Sequence, residues 1–293
     1  SYADVDWYAI EDSDDPLDHL IYTCYDEYGV AIFYEDTIGR VQTGTSFDGT
    51  PRMHYEVLDV NYMITTKNDQ NSYTESRDRE ALMKTVEFLK TDVLPRLPES
   101  VQPRCYFLTD SCITYRKTYI TRVAGKIIEG CDDFAWRALA TTMIGRVGRM
   151  ENELPSVWAK YAGEILAADV TLKLVNHYAF ELQEFYDLSE NVHVPEVLSG
   201  SSKKTIYGQR MNRSNRDYPF QHWNLYGFLN FSEVYNPDNA DRKGYTAPLQ
   251  TDDLRAFVTA YYQYTEEEFK ALYTDYEVIL AKYDVIKKIV EKL

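Results

Sequence analysis

The sequence of 293 residues predicts an α+β protein: a small mixed β-sheet with helices, followed by a mainly helical C-terminal half. In the first 150 residues, short runs of β-forming residues alternate with amphipathic helical stretches. Beyond them, apolar residues recur mainly at helical spacing, across residues 155–187 and again after residue 250. The chain has no internal repeat and no flexible linker, so we expect a single domain over 1–293, with halves 1–150 and 151–293.

The first predicted elements are a helix and two strands. Apolar side chains at helical spacing predict a helix over residues 17–28, and Gly29 provides its natural end. Runs rich in β-branched and aromatic residues predict strands over residues 30–34 and 55–65. These elements supply the first part of the expected sheet and one helix to cover it.

The next elements complete the first half. An apolar stripe predicts a helix over residues 77–94, with Ser76 as its N-cap and prolines just beyond its end. Strands are predicted over residues 105–109 and 119–128. A further helix is predicted from Asp132 to about Met150, because apolar side chains recur there at helical spacing.

The second half is predicted to be helical around a loop-rich region. A long helical pattern covers residues 155–187, with a break near Asn176. Residues 188–248 are loop-rich and contain a strongly aromatic segment. Two helices then end the chain, the first capped by Thr251 and the second opened by a capping box from Thr265 to Glu268.

Composition excludes some classes of partner. The net charge of -16 disfavours binding to nucleic acid or to anionic membranes, because both require a positive surface. No apolar run approaches the ~20 residues that cross a bilayer. The chain starts at Ser1 without a methionine, so we expect that a leader sequence has been removed. Any signal or lipid-attachment site would have been lost with it, and a membrane contact is expected only through such a removed anchor.

The four cysteines leave two interpretations open. They are Cys24, Cys105, Cys112 and Cys131, and none forms a CxxC pair. One disulfide within the 105–131 region and a set of free buried thiols are about equally compatible with this spacing. Cysteine usage therefore does not define the cellular compartment.

Five segments together carry a resemblance to a known family: Leu17 to Tyr34, Phe88 to Pro95, Tyr106 to Ser111, Gly244 to Leu254 and Ala281 to Lys288. Taken in order, they resemble the zinc-binding metallopeptidase lipoproteins of Bacteroidetes, the substrate-import-associated group. The resemblance covers both ends and the middle of the chain and weakens across 155–240. It implies a zincin-like fold, export, and a lipid-anchored position at the outer membrane or cell surface.

The resemblance fails at the metal site. A zincin needs two histidines one helical turn apart and a glutamate beside the first. Alignment with the family's HExxH motif places Gly145 and Arg149 at the histidine positions and Arg146 at the glutamate. Arginine is permanently cationic and can neither ligate zinc nor act as a base. Ala256 stands where the family has a second acidic residue, so no catalytic residue is assigned and no cofactor is expected.

The resemblance therefore implies an inactive homologue: a non-catalytic surface lipoprotein that acts as a binding or accessory component of outer-membrane nutrient import. Importer components are the expected partners, and the expected ligand is a peptide or a glycan. The candidate ligand-binding residues are Arg146, Arg149, Tyr218, Trp223 and Tyr226, although salt bridges for the arginines and core packing for the aromatic residues are the competing interpretations.

The alternative is an active metallohydrolase or peptidase with a rearranged metal site. His177 and Glu181 lie four residues apart on the helix predicted over 155–187, so both side chains would point toward one metal ion. Two ligands are too few for a zinc site. The competing interpretation is that His177 and Glu181 are a solvated pair on the helix surface.

Overall fold

The structure, a computed structural model, describes residues 2–60, 70–115, 131–192, 205–209, 223–234 and 244–293. Within these ranges it is an α+β protein with a small mixed sheet and several helices, which confirms the predicted fold class. The chain divides into two compact units. Unit 1 contains residues 1–117 and 127–165, and unit 2 contains residues 118–126 and 166–293. That the whole chain forms one domain stays a prediction.

Within the described residues, unit 1 contains the main sheet, two complete helices, the start of a third helix and a separate hairpin. Its described helices and strands, in chain order, are α1 (Pro16–Tyr28), β1 (Ala31–Phe33), β2 (Thr37–Thr45), β3 (Pro51–Val57), β4 (Gln70–Glu75), α2 (Arg79–Phe88), β5 (Cys105–Tyr115), β6 (Cys131–Asp132), β7 (Ala135–Arg137) and β8 (Thr141–Ile144). The hairpin consists of β2 and β3, which pair only with each other among the described strands.

Strand β5 organises the main sheet because its two halves pair differently. Its first residues run parallel to both β1 and β8. Its second half pairs antiparallel with β4 and β6, and β7 pairs antiparallel with β8. The apolar side chains of β1, β5 and β8, including the fully buried Phe107 and Met143, form the core beneath the sheet.

The helices of unit 1 agree with the prediction, with one shifted cap. Asp15 caps α1 by accepting from the backbone of Leu17 and Asp18, and Gly29 ends it in the left-handed conformation at φ 76°. Asp78, not Ser76, caps α2, so the predicted cap was wrong by two residues. The regular helix ends at Phe88 and continues as a π-helical turn over Leu89–Val93.

The predicted helix over 132–150 was wrong. Residues in this region form β6, β7 and β8, followed by a 3-10 turn over Val147–Arg149. All four residues of β8 are buried. A short strand that is buried on both faces lacks the alternation of apolar and polar residues typical of strands. Its sequence pattern therefore cannot be distinguished from that of a buried helix.

Other predicted strands have mixed outcomes. The strand predicted over 30–34 is confirmed as β1, and the one over 105–109 is confirmed but extends to Tyr115. Strand β3 ends at Val57, whereas the prediction placed a strand over 55–65, of which residues 61–69 lie outside the described residues. The whole of the strand predicted over 119–128 lies outside the described residues.

Helices dominate unit 2, as predicted. Helix α3 (Pro155–His177) starts in unit 1 and ends in unit 2, and α4 (Ala179–Glu190) follows after a break at Tyr178, near the predicted Asn176. The other described elements are β9 (Ser232–Val234), β10 (Gly244–Thr246), α5 (Gln250–Gln263), α6 (Glu266–Leu272) and α7 (Glu277–Val290). The capping box of Thr265 and Glu268 is confirmed, but α5 is preceded by Leu249 and not capped by Thr251.

Candidate functional site

The segment from Gly145 to Arg149 directly follows β8, at the carboxyl end of the parallel strands β1, β5 and β8. Ligands of open α/β sheets bind in the crevice at this end of parallel strands. The Gly145 backbone N–H donates to the Phe134 carbonyl at 2.9 Å. A Cβ atom at Gly145 would lie 2.6 Å from the Asp133 carbonyl oxygen, so the backbone packing requires glycine here.

Arg146 has an unusual backbone and an incompletely bonded side chain. It is the one non-glycine residue with positive φ in the described part of the chain, at φ 63° and ψ 20°. Its guanidinium carbon lies 4.6 Å from the Phe134 ring centroid, and Nη2 lies 3.9 Å from Glu153 Oε1. Its Nε is buried and has no hydrogen-bond partner within the described residues. The side chain keeps 23% of its surface exposed.

Asp110 on β5 connects this turn to the sheet through hydrogen bonds. Its backbone carbonyl accepts from the Arg146 N–H at 3.2 Å and from Arg149 Nη2 at 3.0 Å. Its side-chain Oδ1 is buried, and no donor reaches it in the part of the chain that the structure describes. A buried acceptor without a donor costs ~1–3 kcal/mol. The turn therefore combines an unsatisfied donor, an unsatisfied acceptor and the exposed Arg149.

Tyr161 supports the turn through a hydrogen bond and ring packing. Its hydroxyl donates to the Gly145 carbonyl oxygen, and its ring stacks on Phe88 with centroids 5.4 Å apart. Burial raises the pKa of Tyr161, while Arg146 and Arg149 act in the opposite direction. Because the tyrosine is fully buried and neutral, it is a rigid support for the turn and not a proton donor to a ligand.

The structure does not support the predicted geometry of His177 and Glu181. His177 is the exposed last residue of α3, and Glu181 lies in the first turn of α4. The helical pattern breaks between them at Tyr178, so the two residues do not share one continuous helix, and a metal role for them stays a prediction. No group of three metal-ligating side chains occurs among the described residues.

The aromatic candidates are only partly described. Tyr226 is 5% exposed and packs in a cluster with Tyr207 and Phe228. Trp223 is half-buried, with its ring centroid 4.3 Å from that of Phe231. Tyr218 lies outside the described residues. A role of these three residues as ligand contacts stays a prediction.

Sequence reasoning missed a buried ion pair in unit 2. Lys282 Nζ donates to Asp253 Oδ2 at 2.5 Å, to Ser189 Oγ at 2.9 Å and to the Gly227 carbonyl at 3.0 Å. The side chains of Lys282 and Asp253 are 0% and 1% exposed. The sequence did contain a signal, because Lys282 falls within the apolar stripe of α7, three residues after Ile279.

Burial and the ion pair act in opposite directions on the charge of Lys282. Burial lowers the pKa of Lys282 and raises that of Asp253, and each shift is opposed by the other charge. Three acceptors match the three N–H bonds of the ammonium, and the ring centroids of Phe185 and Phe257 lie 4.4 and 4.8 Å from Nζ. With almost no exposed surface, this pair joins α5 to α7 and is not a ligand site.

Two cysteines are inert thiols. Cys24 and Cys105 are buried and form no disulfide, and burial raises the pKa of each to about 11. Cys112 is also buried, and the Cys131 side chain lies outside the described residues. No helix in the described ranges is long and apolar enough to cross a membrane.

In comparisons with known proteins, no family model, no curated protein and no solved structure matches this chain.

Proposed function

We propose that this protein is a non-catalytic binding protein with a zincin-like fold, related to zinc metallopeptidases. It would act as a lipid-anchored accessory component of outer-membrane nutrient import. One observation carries the non-catalytic part of this proposal. The positions that align with the HExxH motif form a strand end and a 3-10 turn, with Arg146 in the left-handed conformation.

The geometry explains why this turn is unsuited to zinc chemistry. The HExxH motif directs two ligands to one metal ion because they lie one turn apart on an α-helix. Here Gly145 has no side chain, and Arg146 and Arg149 contribute positive charge where the motif has a glutamate and a histidine. A cation is repelled by two guanidinium groups, whereas an anion is attracted.

The same charges favour a carboxylate-bearing ligand. A guanidinium binds a carboxylate through two parallel N–H···O bonds, and Arg146 is held in place by Phe134 and Glu153. The exposed Arg149 supplies a second positive charge nearby. We infer that the turn binds the carboxylate of a peptide or of an acidic glycan.

Metal analysis tests the non-catalytic assignment. The purified chain is dialysed against zinc, and its zinc content and its hydrolysis of a mixed fluorogenic peptide library are measured with and without a chelator. We expect far less than one zinc per chain and no chelator-sensitive hydrolysis. One zinc per chain together with hydrolysis that the chelator abolishes would instead establish the rearranged metallohydrolase.

A titration tests the ligand class. Backbone amide shifts of Gly145 and Gly148 are followed by NMR while N-acetylglutamate amide or galacturonate is added. We expect shifts with at least one of these anions and no shifts with the neutral N-acetylglutamine amide. Binding should be at least tenfold weaker in Arg146→Lys, because lysine keeps the positive charge but lacks the planar guanidinium that bonds both carboxylate oxygens. The absence of shifts with both anions would contradict the assignment, and the anion that binds identifies peptide or glycan.

A further inference from the structure

The β2–β3 hairpin has an inverted distribution of polar and apolar side chains. Along β3, the even-numbered His54 and Glu56 are half-buried, whereas the odd-numbered Met53, Tyr55 and Val57 are exposed. A strand with one solvated face normally places its apolar residues inward and its polar residues outward. The pattern of β3 is the reverse.

The inner face of the hairpin is already occupied. His54 Nε2 lies 3.0 Å from Glu56 Oε2, and the Trp7 ring centroid lies 6.0 Å from that of His54. Val41 and Gly39 oppose His54 and Glu56 in the strand register, so they share this face. The polar pair therefore occupies the inner face of the hairpin, beside Trp7.

The outer face exposes large apolar side chains. Met53 is 38% exposed, Tyr55 54% and Val57 51%, and Phe47 in the connecting loop is completely exposed. Of these, phenylalanine, methionine and tyrosine are enriched at protein interfaces. An apolar face left in water is unfavourable, which favours an interaction surface here.

Charge indicates what covers this face. Arg40 lies directly opposite Tyr55 in the register, so both belong to the outer face. Within the described residues, Arg40 has no ion-pair partner, although the chain has 47 acidic residues and a net charge of -16. The hairpin is thus complementary to an apolar strip that carries a carboxylate.

We propose that the outer face of the β2–β3 hairpin is the docking surface for a partner protein, which covers Met53, Tyr55 and Val57 with apolar side chains and pairs a carboxylate with Arg40. The surface is separate from the turn at Arg146 and does not depend on the proposed ligand site. A second copy of the chain is a poorer occupant, because two molecules with a charge of -16 repel each other. The same charge disfavours an anionic membrane.

Site-specific photo-crosslinking tests the proposal. The photoreactive p-benzoylphenylalanine replaces Tyr55 in the full chain, and intact cells that produce the protein are irradiated. We expect one discrete protein adduct whose yield falls at least fivefold when Arg40→Glu is added. Arg77→Glu makes the same charge change at an exposed site outside the hairpin and should leave the yield within twofold.

The adduct is then identified and tested with purified components. The partner should bind the unmodified protein at least tenfold more tightly than Tyr55→Ser, while circular dichroism confirms that the variant is folded. The same probe at Phe180, which is 90% exposed in unit 2, should not yield this adduct. The proposal is overturned by no adduct at position 55, by an adduct insensitive to Arg40→Glu, by an adduct with a second copy of the chain, or by a lipid adduct.

Discussion

Arg146 shows how a single residue can store strain at a turn. A left-handed backbone costs an L-residue about 1–2 kcal/mol, and such strain persists where the surroundings fix the residue. Here the backbone N–H of Arg146 is bonded to Asp110, and its side chain is held over Phe134. The sequence identified Arg146 as a candidate but not this conformation, because arginine rarely adopts it and the helix prediction assigned it a helical one.

This strain yields a stability prediction. Arg146→Gly and Arg146→Ala both remove the side chain, but only alanine must still adopt the left-handed backbone. We expect the free energy of unfolding of the glycine variant to exceed that of the alanine variant by about 1–2 kcal/mol, measured by urea denaturation. Both variants should lose anion binding equally. Equal stability of the two variants would show that the backbone at this position carries no strain.

The buried pair of Lys282 and Asp253 yields a second prediction. Replacing Lys282 by methionine leaves a buried carboxylate without its cation, so the free energy of unfolding should fall by about 3–5 kcal/mol. Adding Asp253→Leu removes that charge, and the double variant should be more stable than Lys282→Met alone. Denaturation of wild type, both single variants and the double variant gives the coupling energy. Additive losses would mean that the two groups do not interact.

At the scale of elements, local signals in the sequence predicted the helices better than the sheet. Gly29 and the capping box at Thr265 act within a few residues, so they determine their helix ends regardless of the rest of the fold. Strand β8 forms only because it pairs with β5 and β7. Strand β5 is distant in sequence, and the turn that joins β7 to β8 has no distinctive sequence signal. The buried residues of β8 were therefore predicted as a helix, and the HExxH alignment was placed on that predicted helix.

Helix α6 yields a pH-dependent prediction. Hydrogen bonds from Lys270 at 2.7 Å and Lys287 at 2.6 Å lower the pKa of Glu266 from 4.5 to about 2. Because the pKa is lower in the folded state, this contribution to stability is fully present above pH 4.5 and is lost as the pH falls toward 2.

We therefore expect wild type to be more stable than Glu266→Gln at pH 6, and the difference to shrink steadily between pH 4.5 and 2. Urea denaturation of both proteins across this range measures the difference. Glu267→Gln, one residue along the same helix, is the control and should show no comparable trend. A difference that grows on acidification would contradict the assignment.

At the scale of the whole molecule, we expect the net charge of -16 to lower stability. The chain has 47 acidic and 31 basic residues, so repulsion among carboxylates opposes the compact state. Raising the NaCl concentration from 10 to 150 mM shortens the screening length from about 30 to about 8 Å. We expect the melting temperature to rise over this range, as measured by scanning calorimetry. Potassium chloride, the control, should raise the melting temperature by the same amount. A fall in melting temperature would mean that favourable ion pairs outweigh the repulsion among carboxylates.

The buried thiols have a consequence for the environment in which the protein can persist. With a pKa of about 11, only about one in 10,000 molecules carries a thiolate at Cys24 or Cys105 at pH 7. Oxidants react with thiolates, and neither sulfur is accessible in the folded chain. An oxidising compartment would therefore neither crosslink nor modify the native protein at these two positions, and any labelling there would report the opening of unit 1.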